Sequence, residues 1–268
     1  MPESTPVDGS SFNWSLKDDI REYWSLRSAT FDLSPGHEIF TDDEREAWQE
    51  LLRRHLGDGG GRSALDLASG TGVVSLLLND LGFQVTGLDF SDEMLARARA
   101  KAAGRGAPIR FIAGDAEVTL EENDAYDVIA TRHLVWTLVH PDDAFREWFR
   151  LIKPGGRLLV VDADMGAPRS RRARFLRSLA RVIGRVSPGP ARPGVDRATH
   201  DRILSQVYFS EGARADAVAA LAQRAGFRDI VIDRDLARIH RAQWKLMPLK
   251  QRLERASQDR YAICARKP

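Results

Sequence analysis

Cysteine is almost absent from this sequence, with Cys264 the single example in 268 residues. One thiol excludes a disulfide framework and a cysteine-rich metal site. It also removes the three-cysteine iron–sulfur motif that radical chemistry would need. Long apolar runs are missing too. Runs such as RLLVV before Asp162 fall far short of the roughly 20 residues that cross a bilayer, so no membrane partner is expected. Neither sign of charge dominates. Forty basic against 38 acidic residues leave +2, which gives the whole chain no electrostatic reason to seek nucleic acid. The first twenty residues carry acids and no apolar segment of the secretory kind, so a cytoplasmic setting is expected.

With 43% hydrophobic residues the chain has enough apolar surface to bury one full core. Residues 1–12, rich in Pro, Ser and Gly, are expected to fray. Helical spacing over Leu16, Ile20, Tyr23, Trp24 and Leu26 predicts a first helix. A second is predicted from Asp42 to Leu56, N-capped by Thr41 and stopped at Gly57. A strict alternation follows. Strands are predicted at 64–68, 84–89, 109–113, 126–131 and 157–163, with helices near 72–81, 92–103 and 141–152. Most of these strands are continuous apolar runs, as in a parallel sheet covered on both faces. The pattern breaks from Asp164 to about Ser210, which reads as an inserted helical cap. A helix at 212–225 closed by Gly226, the strand RDIVIDRDL and the final strand RYAICARK then read as a sheet finished by an antiparallel hairpin.

The stretch ALDLASGTGVVS, Ala64 to Ser75, places a small-residue turn between a strand and a helix. Such a turn lets a ligand approach the backbone, and the helix N-terminus offers free N–H groups. Only Gly70 and Gly72 of the three-glycine dinucleotide fingerprint are present; Ser75 stands at the third place. Asp89 ends the next strand, where an acid can accept from both ribose hydroxyls. Ser91 is already available to cap the helix that follows.

LDLASGTG, TGLDFSDEMLARARAKA, FIAGDAE and LIKPGGRLLVVD together resemble the successive motifs of class I S-adenosylmethionine-dependent methyltransferases, of the small-molecule type. The likeness covers about residues 20–165 and the C-terminal helix–strand–strand. It implies a Rossmann-like α/β fold: a seven-stranded, mostly parallel, doubly wound sheet ordered 3-2-1-4-5-7-6 with the last strand antiparallel. It also implies that the cofactor is S-adenosyl-L-methionine, with S-adenosyl-L-homocysteine as product. That ligand has a ribose for Asp89 but no pyrophosphate, so the third glycine is dispensable. By the same resemblance Asp66 lies near the methionine amino group, and Ala68 replaces the family's first glycine. Ser69, Gly70, Gly72, Phe90, Gly114, Ala116, Thr131 and Arg132 line the cofactor. Met94 packs on adenine or simply in the helix core. Asp115 accepts from the adenine amine, caps a helix, or does both.

The family places its acceptor beyond the fourth strand, here TRHLVWTLVHP. The segment lacks the [DN]PP[YF] of DNA and glutamine N-methyltransferases and the carboxylate of metal-dependent O-methyltransferases. Asp162 and Asp164 have no partner acid, so no metal is expected. Cys264 is misplaced for RNA C5 chemistry. What remains is a small-molecule substrate, aromatic or heterocyclic, methylated on nitrogen or oxygen. His133 is expected to act as base, to orient the acceptor, or only to cap the strand end. Trp136 is a wall of the site or core. YWSLRSATFDLSPGH resembles the family's lid helix. Tyr23, Trp24 and Phe31 would close over the sulfonium, with Trp24 also facing substrate, and Arg27 would reach the methionine carboxylate; plain packing on the sheet edge is the alternative.

The insertion carries Arg169, Arg171, Arg172, Arg174, Arg177, Arg181 and Arg185 without an intervening acid. Phe175, Leu179, Val182, Ile183 and Val186 are expected on the opposite helical face. The arginines read as a solvated face or as a surface for RNA or an anionic substrate. Tyr208 and Phe209 are candidates for a substrate lid. The expected organisation is lid helices over 1–56, a cofactor-binding core over 57–165, a helical cap over 166–210 and the rest of the core over 211–268, as a monomer or homodimer. An RNA methyltransferase and a catalytically inactive cofactor-binding module remain as alternative readings.

Overall fold

The computed structural model describes residues 15–166, 170–186 and 196–268. The expectation for residues 1–12, and Arg169, fall outside these residues. Helix α1 (Leu16–Phe31) starts at Ser15 in a reciprocal capping box with Asp18, and α2 (Asp42–Leu56) is capped by Thr41 and ends at Gly57. The sheet then builds through β1 (Ser63–Leu67), α3 (Val73–Asp80), β2 (Gln84–Asp89), α4 (Asp92–Gly104), β3 (Arg110–Ala113), β4 (Tyr126–Arg132), α5 (Pro141–Leu151) and β5 (Ile152–Asp164). Helices α6 (Arg171–Val186), α7 (Arg197–Gln206) and α8 (Ala215–Ala225) precede β6 (Arg228–Asp233). Helices α9 (Ala237–Trp244) and α10 (Leu249–Ala256) lead to β7 (Asp259–Arg266).

The seven strands lie in the order β3-β2-β1-β4-β5-β7-β6. The first five are mutually parallel, and β7 runs antiparallel to both β5 and β6. This places the ends of β1, β2, β4 and β5 and the start of β7 along one rim. In open α/β sheets that rim is where ligands bind.

Three expectations need correction. The last two strands are not a hairpin, because α9 and α10 intervene. Each has eight residues, too few for a long periodic pattern, and α10 buries none of them. Strand β5 begins at Ile152, which pairs with Tyr126 before a bulge that Gly155, at φ +80°, lets the chain turn through. In α6 the packing face is not the one expected. Ala180 is buried, whereas Phe175, Leu179 and Val182 stand exposed beside the arginines.

The core is split by the sheet. On one face α5 and α8 pack Phe145, Trp148, Val218 and Leu221 against Leu65, Ile129, Leu158 and Tyr261. On the other, α2, α3 and α9 pack Trp48, Leu51, Leu77 and Ile239 against Val85, Val128, Leu159 and Cys264. A small third cluster, Ile20 and Tyr23 with Ile203 and Val207, joins α1 to α7.

Trp148 links core to rim, since its buried indole N–H donates to the Ala116 carbonyl at 2.8 Å. Trp148→Phe leaves that carbonyl without its donor and is expected to lower unfolding free energy by about 1–3 kcal/mol. Urea denaturation measures this; an unchanged midpoint would remove the bond from the account.

Candidate functional site

The turn after β1 is held by backbone that few residues adopt. Ala68, Gly70 and Gly72 have φ of +55°, +54° and +82°. Gly72 is a packing requirement as well, since a Cβ there would lie 3.1 Å from the Ala98 Cβ and 3.2 Å from the Phe111 ring. At Gly70 the nearest atom to such a Cβ is on Phe31, at 3.9 Å. Ala68 is non-glycine at positive φ, which costs about 1–2 kcal/mol.

Asp89 fixes this turn. One carboxylate oxygen accepts from the Gly70 N–H at 2.8 Å and the other from the Ser91 N–H at 2.9 Å. The Phe90 N–H also donates to this carboxylate, which still leaves a lone pair open to a further donor. Burial pushes the Asp89 carboxyl up to about 6 against these hydrogen bonds. Asp66 is also fully enclosed, and burial pushes it up to about 7 even though the Ser75 hydroxyl donates to it at 2.6 Å. Ser75, the residue in place of the third glycine, thus supplies a hydrogen bond that the buried acid would otherwise lack. Among the described residues neither carboxyl has a cation in salt-bridge contact, so both are placed for a ligand that brings positive charge or hydroxyl donors.

One cleft at the rim is lined by Lys17, Ala68, Asp89, Phe90, Asp115 and Leu138, among others. Gly114 and Ala116 border it, whereas Met94 is buried in α4 and does not line the cleft. Asp115 accepts from the Glu117 N–H at 2.8 Å and pairs with Lys17 at 2.6 Å, while Lys17 also reaches Glu117 at 2.7 Å. Thr131 is buried and donates to the Leu67 carbonyl at 2.8 Å. Ser69 continues the turn, its N–H bonded to the Leu88 carbonyl at 2.9 Å.

Above the rim, α1 presents its aromatics. The Arg27 guanidinium carbon sits 5.6, 5.2 and 6.0 Å from the ring centroids of Tyr23, Trp24 and Phe31. Trp24 stands edge to face with Trp136 at 6.2 Å, and Trp136 with His200 of α7 at 5.7 Å. Phe31 stacks on His37 at 4.2 Å. Arg132 donates to the His37 carbonyl at 2.7 Å and lies over the Trp48 ring at 5.3 Å. Among the described residues Nε of Arg27 and one terminal nitrogen of Arg132 are buried without an acceptor. Both donors are left for some further acceptor to satisfy.

His133 has φ +61°, a region that favours glycine and asparagine, and its N–H donates to the Val161 carbonyl at 3.0 Å. Its Nδ1 is 3.8 Å from Asp162 Oδ1 and its Nε2 is 3.3 Å from an Arg260 nitrogen. Burial, with Arg260, Arg132 and Arg255 nearby, holds the imidazole well below its usual value, so it is neutral at physiological pH. Asp162 accepts from the Val135 N–H at 3.0 Å and thereby ties the turn after β4 to β5.

The rim thus gathers Asp66, Ala68, Ser69, Gly70, Gly72, Asp89, Phe90, Met94, Gly114, Asp115, Ala116, Thr131, Arg132 and His133 below α1 with Tyr23, Trp24, Arg27 and Phe31. Phe209 is instead buried in the main core, and Tyr208 is 55% exposed. Lys17, His37, His200 and Arg260 are additional rim residues that motif reading missed. Lys17 and His200 meet the site only through packing between helices, which no local spacing records.

A glycine turn with a strand-end acid, under a helix bearing aromatics, defines a nucleoside-binding α/β enzyme. A family described as methyltransferase domain matches residues 65–160. A demethylmenaquinone methyltransferase of Mycolicibacterium paratuberculosis is 32% identical over 181 residues, covering 67% of this chain and 72% of that protein. A ubiquinone/menaquinone biosynthesis C-methyltransferase of Roseobacter denitrificans is 31% identical over 165 residues, covering 60% and 64%. Among solved structures, Haemonchus contortus phosphoethanolamine N-methyltransferase 2 with S-adenosylhomocysteine superimposes with a TM-score of 0.65 at 18% identity, covering 95% of this chain and 60% of that one. The chain belongs to the class I S-adenosylmethionine-dependent methyltransferases, of the small-molecule type. It is an enzyme, and its cofactor is S-adenosylmethionine.

Asp89→Ala is expected to weaken S-adenosylmethionine binding by about 1–3 kcal/mol, roughly five- to 150-fold, because two hydroxyls lose a charged acceptor. Calorimetry decides; equal affinity would take Asp89 out of the site. A second test uses pH. A carboxyl raised on folding favours the folded state fully below its unfolded value near 4 and loses that contribution as pH rises through its folded value. Asp66, pushed up to about 7, is such a group. Asp66→Asn should therefore gain thermal stability relative to the wild type as pH rises from about 5 to about 8. A constant difference in Tm across that range would contradict it.

Proposed function

We propose that this enzyme methylates a small aromatic or heterocyclic molecule, at a ring carbon made nucleophilic by a neighbouring hydroxyl. The observation that carries the reading is the aromatic cluster beside the end of β4, where Trp24 meets Trp136 edge to face and Trp136 meets His200. Such a surface of ring edges and faces suits packing against another ring. Nitrogen or oxygen is the acceptor atom expected from sequence; the C-methyltransferase relative favours carbon.

The cofactor supplies a methyl group on a sulfonium, an electrophile that needs only an aligned nucleophile. Asp89 would hold the ribose hydroxyls, Asp66 the ammonium, and Arg27 with Arg132 the carboxylate of its methionine portion. His133 would position the acceptor. With Arg260 donating to Nε2, the imidazole proton belongs on Nδ1, toward Asp162, and the nitrogen a general base would use is already engaged. The proton released by the acceptor goes to water.

Incubation with methyl-labelled cofactor and a panel of phenols, hydroquinones, aromatic amines and N-heterocycles tests the reading. Carbon NMR of the labelled methyl separates ring-carbon from oxygen and nitrogen products. Aliphatic amines, alcohols and carboxylates complete the panel, and turnover confined to them would overturn the reading. On the best acceptor, His133→Asn, which suits the left-handed backbone, should cost less than about tenfold in kcat and leave the pH profile unchanged in shape. A loss of about 10²–10⁴-fold with a flattened profile would make His133 the base instead.

A further inference from the structure

At the start of β7, Asp259 and Arg260 pair with Asp164 and Ala163 of β5, which puts them on the ligand-binding rim. Arg260 alternates with Ala262 and Cys264 toward the face covered by α2 and α9. Its guanidinium hydrogen-bonds Gln258 Oε1 at 3.0 Å and His133 Nε2 at 3.3 Å. Both partners are neutral, and among the described residues Arg260 makes no salt bridge. Asp162, the nearest acid below it, is occupied by the N–H groups of Val135 and Ala163.

Other cations converge on the same place. Gly36, in the loop after α1, lies directly against the Arg255 guanidinium, where a Cβ would collide. His240 of α9 is driven down to about 3 by burial and by Arg260 and Arg255. Burial, with Arg132 adding to it, also lowers Arg260 to about 10, although Asp162 opposes the shift. The His133 side chain at the centre still has 27% of its surface in water. The place is therefore reachable, and Asp162 is the acid whose charge acts on Arg260. A half-buried guanidinium hydrogen-bonded only to neutral groups is incompletely compensated, and a ligand that brings an oxyanion relieves it.

We propose that Arg260 recognises an oxyanion, a carboxylate or a phosphate, carried by the methyl acceptor, with Arg255 beside it. The cofactor's own carboxylate is a poor candidate for this place. On the proposed reading Arg27 and Arg132 take that end, and because Arg260 reaches His133, next to Arg132 in the chain, binding measured with the cofactor site filled separates the two ligands. The inference rests on the proposed aromatic acceptor and narrows it to an anionic one.

The test measures binding without methyl transfer, so it does not depend on finding the natural acceptor. With the enzyme saturated by S-adenosylhomocysteine, ligand-observed NMR titrations compare benzoate, phenyl phosphate and benzamide. One or both anions should bind at least about tenfold more tightly than the neutral amide. Arg260→Gln should erase that preference and Arg260→Lys restore part of it, with S-adenosylhomocysteine affinity unchanged as the control for folding. Preference for benzoate alone identifies a carboxylate acceptor, and for phenyl phosphate alone a phosphorylated one. Equal binding of all three, or a preference that survives Arg260→Gln, overturns the proposal. Should Arg260→Gln lose S-adenosylhomocysteine binding, Arg255→Gln takes its place and must reduce the preference. Anion binding retained in an enzyme that methylates no aromatic compound would refute the proposed reaction and leave this subsite standing.

Discussion

The carboxylate of Asp89 is the contact on which the rim depends. It stands at the end of β2, takes one N–H from the turn after β1 and another from the start of α4, and so ties two strand–helix junctions to one side chain. The next layer hangs from the same residue, because its carbonyl accepts the Gly114 N–H at 3.0 Å beyond β3. Three successive crossovers therefore share an anchor. Its burial is unfavourable for charge, as the upward displacement to about 6 records, and the backbone donors offset only part of that.

Much of this was legible from local chemistry. The strand–turn–helix junctions are written in adjacent residues: Ser91 before Asp92, Pro154-Gly155-Gly156 after α5, an acid closing an apolar run. Sheet order came from family resemblance, since pairing between distant strands leaves no local trace. Where reading failed, the cause was the same. Helices α9 and α10 are short, eight residues each, and the buried residues of α9 are limited to Ile239, Ala242 and Gln243. On α6 the rule that apolar residues face inward was overridden by geometry: Ala180 fits against its neighbours and Phe175 stays outside. Arg260 belongs to a strand whose antiparallel course was expected from the family resemblance, but nothing in its local sequence marks its first residues as facing the rim.

His133 illustrates how residue type underdetermines role. A histidine after the fourth strand invites assignment as a proton acceptor, but its surroundings are cationic and enclosed, and both conditions disfavour imidazolium. The same surroundings make neutral imidazole a good hydrogen-bond acceptor for a guanidinium. Its left-handed backbone turns the chain from β4 into the segment carrying Leu134 and Trp136, so the residue also sets the direction of the aromatic wall.

Among the described residues helix α1 is tied down at three places. Lys17 pairs with Asp115 and Glu117 at the rim, Ser25 meets Ser91 at 2.9 Å at the head of α4, and Asp19 pairs with Arg202 of α7 at 2.5 Å while Ile20 and Tyr23 pack on Ile203 and Val207. The helix cannot be displaced as a unit without parting from all three. A ligand that enters beneath this helix would have to wait for these contacts to part, so the strength of the ties would set a ceiling on the rate of exchange.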